Sequence, residues 1–298
     1  MKYIITGATG GLGSQVLKYL LRLVPATDII VSLHNPNGAS SQIVSSGVEI
    51  RHGDYGDPST LDEAFRGGDK VLIISYPNIS GRIPYHVNAI DAAKRCGIKH
   101  VYYTSLMFAS DSVAAVMQDH LASEKYLKES GLTYTILREG IYSESYPLYF
   151  GFFDPNDGSD EVLIPHGDGG IAWVSREDLG EGTAKIMVSD GYVGETLLLS
   201  GSRVMTLHEL AQRISAILHR EIKLCIVDEE RYLKRNIGKD GRMGEEKYLR
   251  QWVSTFISVR RGELEIVDPL LQNVLGRKLK PIEETLVEML RGGSADAR

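Results

Sequence analysis

Short apolar runs and amphipathic stretches alternate along the first half of the chain. Residues 3–5 are a first apolar run. Behind them Leu12, Val16, Leu17, Leu20, Leu21 and Val24 recur at helical spacing. Five more strands are predicted over residues 28–33, 48–53, 70–75, 100–105 and 133–138, the second of these with apolar/polar alternation. Between them, residues 58–65, 82–96 and 119–130 read as helices; Gly97 and Gly131 stop the last two. Pro25 ends the first helix, and residues 34–38 are turn chemistry. Strands alternating with helices predict right-handed crossovers and a parallel sheet covered on both faces.

From Tyr142 the rhythm changes. Six aromatic side chains fall within residues 142–153, and the polar break D-P-N-D-G follows. Further on, the pattern gives a strand end and helix over 171–188, a strand at 196–199 and a helix at 206–218. Thr206 and Glu209 stand there at capping-box spacing. A strand at 222–227, a charged and mostly helical stretch at 228–262 and a helix at 281–290 complete the chain. The expected fold class is α/β: a doubly wound parallel sheet with a smaller C-terminal α+β lobe. Residues 1–141 form the core, with 171–200 returning to it. Residues 142–170 and 201–298 form a lobe laid over the C-terminal edge of the sheet, where ligands of open α/β sheets bind. The tail from Gly292 to Arg298 reads as disordered.

Composition narrows the classes. A chain of 298 residues, 43% of them hydrophobic, can bury a full core. A net charge of −6 and no basic run argue against nucleic acid. The two cysteines, Cys96 and Cys225, stand in no metal spacing, so a reducing compartment and no metal are expected. No signal peptide or membrane span is visible, which points to the cytoplasm and to no membrane partner. A homodimer is compatible with the sequence, which does not specify the oligomeric state.

The chemistry begins between the first strand and the first helix, at Gly7-Ala8-Thr9-Gly10-Gly11-Leu12-Gly13. Strand, glycine turn and helix are the context of a dinucleotide fingerprint, so the core reads as Rossmann-type. Gly7 permits the tight turn, Gly10 lets the backbone approach a pyrophosphate, and Gly13 lets helix pack on strand. The spacing is G-x-x-G-x-x-G. After the second strand stand His34 and Asn35, with no carboxylate to repel a 2′-phosphate, which favours NADP over NAD; NAD stays open. Asp54 and Tyr55 are placed for the adenine. Ser75, Tyr76 and Pro77 would lie along the ribose linker, Thr104 and Ser105 at the nicotinamide, and Gly140, Ile141 and Tyr142 beside its carboxamide.

T-G-A-T-G-G-L-G at 6–13, H-G-D-Y-G-D at 52–57, Y-T-S-L at 103–106, H-L-A-S-E-K at 120–125, Y-T-I-L-R-E-G-I-Y-S-E-S-Y at 134–146 and G-D-G-G-I-A at 167–172 act as a set. Together they resemble the NmrA-like atypical short-chain dehydrogenases, and within them the bacterial NADPH quinone reductases and triphenylmethane-dye reductases. The resemblance runs to about residue 220. It implies an NADP-binding Rossmann core, a small C-terminal lobe, and either reductase activity or sensing of the cofactor redox state. The chain departs from it at His34, where those reductases carry arginine, and at Glu139, where they carry asparagine.

Ordinary short-chain dehydrogenases use Tyr-x-x-x-Lys. Counted back from Ser130-Gly131, those positions hold Val116 and His120, so the dyad is absent. Hydride transfer to a planar conjugated acceptor, aromatic or quinone-like, makes smaller demands, because charge spreads and water can supply the proton. His120 is a candidate proton donor or ribose ligand, or a helix histidine bonded to a neighbouring loop. Tyr142, with Tyr146, could stack on a substrate, donate hydrogen bonds, or pack beneath the lobe. Glu124 and Lys125 read as solvated helix charges. The expected function is an NAD(P)H-dependent reductase of a small conjugated molecule. A redox-sensing regulator and a non-redox enzyme with a structural nucleotide are the alternatives.

Overall fold

A computed structural model describes residues 1–239 and 241–292; the tail from residue 293, expected to be disordered, lies outside the described residues. The core elements are β1 (Tyr3–Thr6), α1 (Gly11–Leu23), β2 (Ile29–Leu33), α2 (Ser41–Ser45), β3 (Glu49–His52), α3 (Pro58–Phe65) and β4 (Lys70–Ile73). Next come α4 (Ile83–Arg95), β5 (His100–Leu106), α5 (Ala115–Glu129), β6 (Tyr134–Glu139) and α6 (Tyr146–Tyr149). The second half holds β7 (Glu161–Pro165), β8 (Gly170–Ile171), α7 (Arg176–Val188), β9 (Thr196–Leu199), β10 (Met205–Thr206) and α8 (Leu207–Leu218). Then β11 (Lys223–Val227), α9 (Glu229–Asn236), α10 (Glu246–Arg260), α11 (Leu270–Leu275) and α12 (Ile282–Arg291) follow.

Seven parallel strands form the main sheet in the order β3-β2-β1-β4-β5-β6-β9. The order reverses between β1 and β4, which opens a crevice at their C-terminal ends. Alternation along each strand sends successive side chains to opposite faces. Ile5, Val31 and Leu72 meet α1 and α7 on one face. Ile4, Ile30 and Val71 meet α3 and α4 on the other. A third cluster joins Tyr149, Phe150, Trp173, Trp252 and Phe256 in the C-terminal half.

Most elements lie where the pattern places them, and the Thr206–Glu209 capping box is formed. Three features differ. Helix α5 begins at Ala115, about one turn before its expected start. Strand β7 follows a polar break that hid it; it pairs in parallel with β11, away from the main sheet. Helix α11 was not foreseen, and its Leu271 and Leu275 pack with α1 and α7 rather than with the aromatic cluster.

Candidate active site

The chain leaves β1 through Gly7, whose φ of +63° is a left-handed conformation that side chains oppose. The Gly10 N–H donates to the Gly7 carbonyl at 2.9 Å, closing the turn, and α1 starts at once. No side chain caps the start of α1. Its first backward bond runs from the Ser14 N–H to the Gly10 carbonyl at 2.9 Å. The amides of Gly11, Leu12 and Gly13 are therefore the spare donors of the first turn, at the positive end of the helix dipole. A Cβ built on Gly13 would stand 2.2 Å from the Gly7 oxygen, so helix and loop pack backbone to backbone. An uncapped helix start behind a glycine-rich loop fits a pyrophosphate.

A cavity of about 730 Å³ runs from this loop along the ends of β4, β5 and β6 to the C-terminal lobe. Gly7, Thr9, Gly10, Gly11, Leu12 and Gly13 line its first end. His34, Asp54 and Tyr55 line one side. Ser75, Tyr76, Pro77 and Thr104 line the middle, and His120, Gly140, Ile141 and Tyr142 the far part. Two expected residues are not in the lining. Ala8 is fully buried under the loop. Asn35 accepts the Asn37 N–H at 3.1 Å and shapes the turn after β2.

Local bonds decide what each lining residue can offer. His34 is 78% exposed, and its Nε2 stands 3.4 Å from an Asp54 oxygen. A carboxylate therefore does stand beside His34, brought there from the loop after β3. The Tyr55 hydroxyl donates inward to Thr6 Oγ1 at 2.6 Å, leaving its ring to the cavity. The Tyr76 ring stacks on Tyr85 at 4.3 Å between centroids. Thr104 Oγ1 accepts the Ser75 N–H at 2.9 Å and ties the ends of β4 and β5 together.

Beyond Ser75 lies a buried polar chain. Arg82 Nη1 donates to Ser75 Oγ at 3.1 Å and to His120 Nε2 at 2.7 Å. On the other side of the ring, His120 Nδ1 lies 2.9 Å from the Tyr103 hydroxyl. His86 Nε2 accepts the Tyr76 N–H at 3.0 Å, and its Nδ1 meets Ser123 Oγ at 2.8 Å. An arginine N–H can only donate, so the lone pair of His120 Nε2 is engaged and its proton sits on Nδ1. Burial, then the Arg82 charge, holds His120 well below the ordinary histidine pKa, and the same two causes push His86 down to about 3. Both rings are neutral at physiological pH.

On the opposite wall the Tyr142 hydroxyl donates to Glu139 Oε2 at 2.6 Å. The Arg176 guanidinium stands 5.0 Å from the Tyr142 ring centroid. Glu139 is fully buried, and its Oε1 has no partner. Burial raises its pKa to about 8 against the opposing pull of Tyr142 and Arg176, so it is largely a neutral acid at pH 7. Tyr142 is raised as well, by burial first and Glu139 second.

One reading of a single side chain needs correction. Glu124 is not solvated: it is buried, accepts from Arg138 Nε and Nη2 at 2.8 Å each, and takes the Ser105 hydroxyl at 2.6 Å. It reads as a surface charge only while β6 is out of view. Lys125 is exposed as expected, beside Glu129 at 3.9 Å. Tyr146 packs in the lobe core against Phe153 and does not line the cavity.

Sequence reasoning missed Arg82 and Arg176, which stand at a helix start and in a first turn where no motif marks them. Both line the cavity, as do Arg242, Met243, Tyr248 and Trp252 from the charged stretch. Among the described residues, no helix is long and apolar enough to cross a membrane, and no three His, Cys, Asp or Glu gather as a metal site.

Comparison with known proteins agrees with this geometry. The model of the NmrA-like family matches residues 2–272. An NmrA-like family domain-containing oxidoreductase of Aspergillus flavus is 35% identical over 97% of this chain and 95% of its own length. The structure of an NADPH-dependent quinone oxidoreductase from Escherichia coli, complexed with NADPH, superposes with a TM-score of 0.87 at 30% identity, covering 97% of this chain and 99% of that one. A Citrobacter sp. triphenylmethane reductase complexed with NADP(H) does so with a TM-score of 0.83 at 30% identity, covering 96% and 99%. The chain belongs to the NmrA-like family.

Proposed function

We propose that this NmrA-like family member is an NAD(P)H-dependent reductase, with NADPH its preferred donor and a planar conjugated molecule such as a quinone its acceptor. One observation carries the reading: the uncapped start of α1 opens onto the same cavity that aromatic side chains of the C-terminal lobe wall at the other end. The first end suits a diphosphate, and the second suits a flat ring. The relatives that support the assignment are oxidoreductases, and two of their structures hold NADP(H) or NADPH.

In this reading Gly11, Leu12 and Gly13 hold the pyrophosphate by their amides, with Arg176 beside them. His34 faces the ribose phosphate, and Tyr55 offers its ring near the adenine. Thr104, Gly140 and Ile141 border the nicotinamide, which when bound supplies the hydride. Tyr149 and Trp252 exclude water and offer faces for stacking. No Tyr-x-x-x-Lys dyad is invoked, because Val116 and His120 occupy those positions.

The test is NADPH oxidation, read at the nicotinamide absorbance, across a panel of benzoquinones and naphthoquinones. Sustained turnover is expected. Tight cofactor binding without turnover on any acceptor would favour the redox-sensing alternative.

Cofactor choice can be tested separately. An imidazole offers a phosphate one donor, whereas a guanidinium offers a planar fork. His34→Arg is expected to tighten NADPH by about tenfold, roughly 1.4 kcal/mol, and to leave NADH within about twofold. Equal gains for both dinucleotides in a fluorescence titration would remove His34 from the phosphate site.

A further inference from the structure

Among the described residues Arg82 has no carboxylate in direct contact with its guanidinium; the Asp119 charge acts on it only from a distance. It lies at the start of α4, 8% exposed, on the wall of the cavity. Its side chain bonds only neutral groups, Ser75 Oγ and His120 Nε2, and its Nε has no partner. Among the described residues no carboxylate stands within 4 Å of the guanidinium. The Asp119 carboxylate, on α5, instead accepts the Arg82 backbone N–H at 2.8 Å. A buried cation without an acidic partner carries a desolvation cost of several kcal/mol. Elsewhere the buried Glu124 is met directly by Arg138, whereas the buried Lys70 is held by the Met187 and Ser189 carbonyls; neither cation faces the cavity as Arg82 does.

The walls around Arg82 sharpen the point. Val116, Tyr149 and Trp252 line the same cavity, and a buried charge on its wall acts more strongly on whatever enters than it would in water. Ser75 and Thr104 place the guanidinium at the ends of β4 and β5. This is the part of the crevice assigned above to the nicotinamide, so an acceptor reaching that ring meets Arg82 as well.

We infer that Arg82 is an oxyanion subsite: its guanidinium receives an acceptor oxygen that is already ionised or becomes so on reduction. The inference rests on the reductase reading and narrows its substrate class to conjugated carbonyl compounds, with ionised hydroxyquinones as strong ligands. The acceptor gains two electrons and a hydrogen as hydride, the reduced nicotinamide is oxidised, and the acceptor oxygen carries the negative charge. A proton from water then completes the reduction. Arg82 lowers the energy of the charged stage by donors already in place, which needs no reorganisation.

His120 takes a different part from the one its sequence position suggested. With Nε2 accepting from Arg82 and Nδ1 directed to Tyr103, it has no proton to give the acceptor. It is a positioning residue: it orients the guanidinium, and Tyr103 orients it in turn.

The test compares two ligands on the purified full chain with the oxidised dinucleotide bound. One is a hydroxynaphthoquinone that is an anion at neutral pH; the other is the uncharged parent naphthoquinone. Calorimetric Kd values are measured for the parent protein, Arg82→Met and Arg82→Lys. Loss of a charge-assisted contact predicts that Arg82→Met weakens the anion by roughly 10- to 100-fold. The uncharged quinone should change by less than about threefold, and Arg82→Lys should restore most of the anion affinity. Turnover of the uncharged quinone should fall by about 100-fold in Arg82→Met through kcat rather than KM. His120→Leu should weaken the anion too, with no displaced limb in the pH–rate profile; a displaced limb would mark a proton donor and overturn its positioning role.

Parent-like anion binding by a folded Arg82→Met protein would overturn the subsite. If that variant does not fold, Arg82→Lys decides: selectivity for the anion is kept if the charge makes the subsite, and its loss in the folded Lys variant counts against it. The two levels separate cleanly. Arg82-dependent anion binding without turnover on any quinone would sink the reductase reading and leave the subsite standing. Normal turnover with Arg82-independent binding would do the reverse.

Discussion

Gly13→Ala is expected to abolish useful dinucleotide binding, raising the Kd for NADPH by more than about 100-fold, and to lower stability by roughly 1–3 kcal/mol. The added methyl would lie 2.2 Å from the Gly7 oxygen and 2.8 Å from its carbonyl carbon. Both are backbone atoms of the loop, so the clash can be relieved only by parting loop from helix. That displaces the amides offered to the phosphates. Gly10→Ala is the control. Its Cβ would stand 3.3 Å from the same oxygen, a tight contact the structure can absorb. It should therefore keep most of the stability while intruding on the phosphate side. Thermal unfolding and NADPH titration of both variants check the pair; parent-like affinity in Gly13→Ala would remove the loop from the binding site.

Glu139→Gln is expected to make the protein more stable at pH 7.5, by up to about 4 kcal/mol, and to flatten the loss of stability between pH 6.5 and 8. The folded chain holds the Glu139 proton to about pH 8, because burial disfavours the carboxylate. The unfolded chain releases that proton near pH 4.5. Between those values the native state binds one proton more than the unfolded state, so stability falls as pH rises. Buried histidines act in the opposite sense. Burial pushes His86 down to about 3 and His100 to about 4, and holds His120 well below the ordinary value. Below pH 6.5 the unfolded state takes up protons that these rings refuse, so stability falls as pH drops. Three histidines outweigh one glutamate under acid, and above pH 6.5 the glutamate acts without them. The parent should therefore be most stable near pH 6.5. The variant should keep its acid limb and lose its basic one. Urea unfolding at pH 5.5, 6.5, 7.5 and 8.5 checks this; parallel profiles for parent and variant would mean that Glu139 is ionised in the folded protein. Glutamine keeps the acceptor for the Tyr142 hydroxyl, so the pair at the cavity wall survives the change.

Much of the loop end of the cavity was legible before any coordinates. The turn at Gly7, the helix behind it and the strand ahead are adjacent in the chain, so local sequence encodes their geometry. His34, Asp54, Tyr55, Ser75 and Thr104 could be placed because each follows a strand, and strand ends of a parallel sheet converge on one edge. Asn35 lies outside the cavity lining, because position after a strand says nothing about which way a side chain turns; its amide oxygen accepts a bond within a local turn. Glu124 was misjudged for a related reason: its partner is Arg138, which cannot be inferred from helical spacing. Tyr146 packs in the lobe core, one of the parts the sequence left open for it.

Strand and helix order, the class of sheet and the glycine turn at the head of the cavity were determined by the sequence alone, because each depends on periodicity or turn chemistry within a few residues. Tertiary structure decided which charges are buried and what they face. Arg82 meets His120 across 38 positions. Glu139 is buried at the cavity wall, its Oε2 held by the Tyr142 hydroxyl. Ser75 couples one to the crevice. Desolvation depends on everything packed around a group, whatever its distance along the chain, so the acceptor end of the cavity acquires its electrostatic character only once the sheet, α4, α5 and the C-terminal lobe have closed around it.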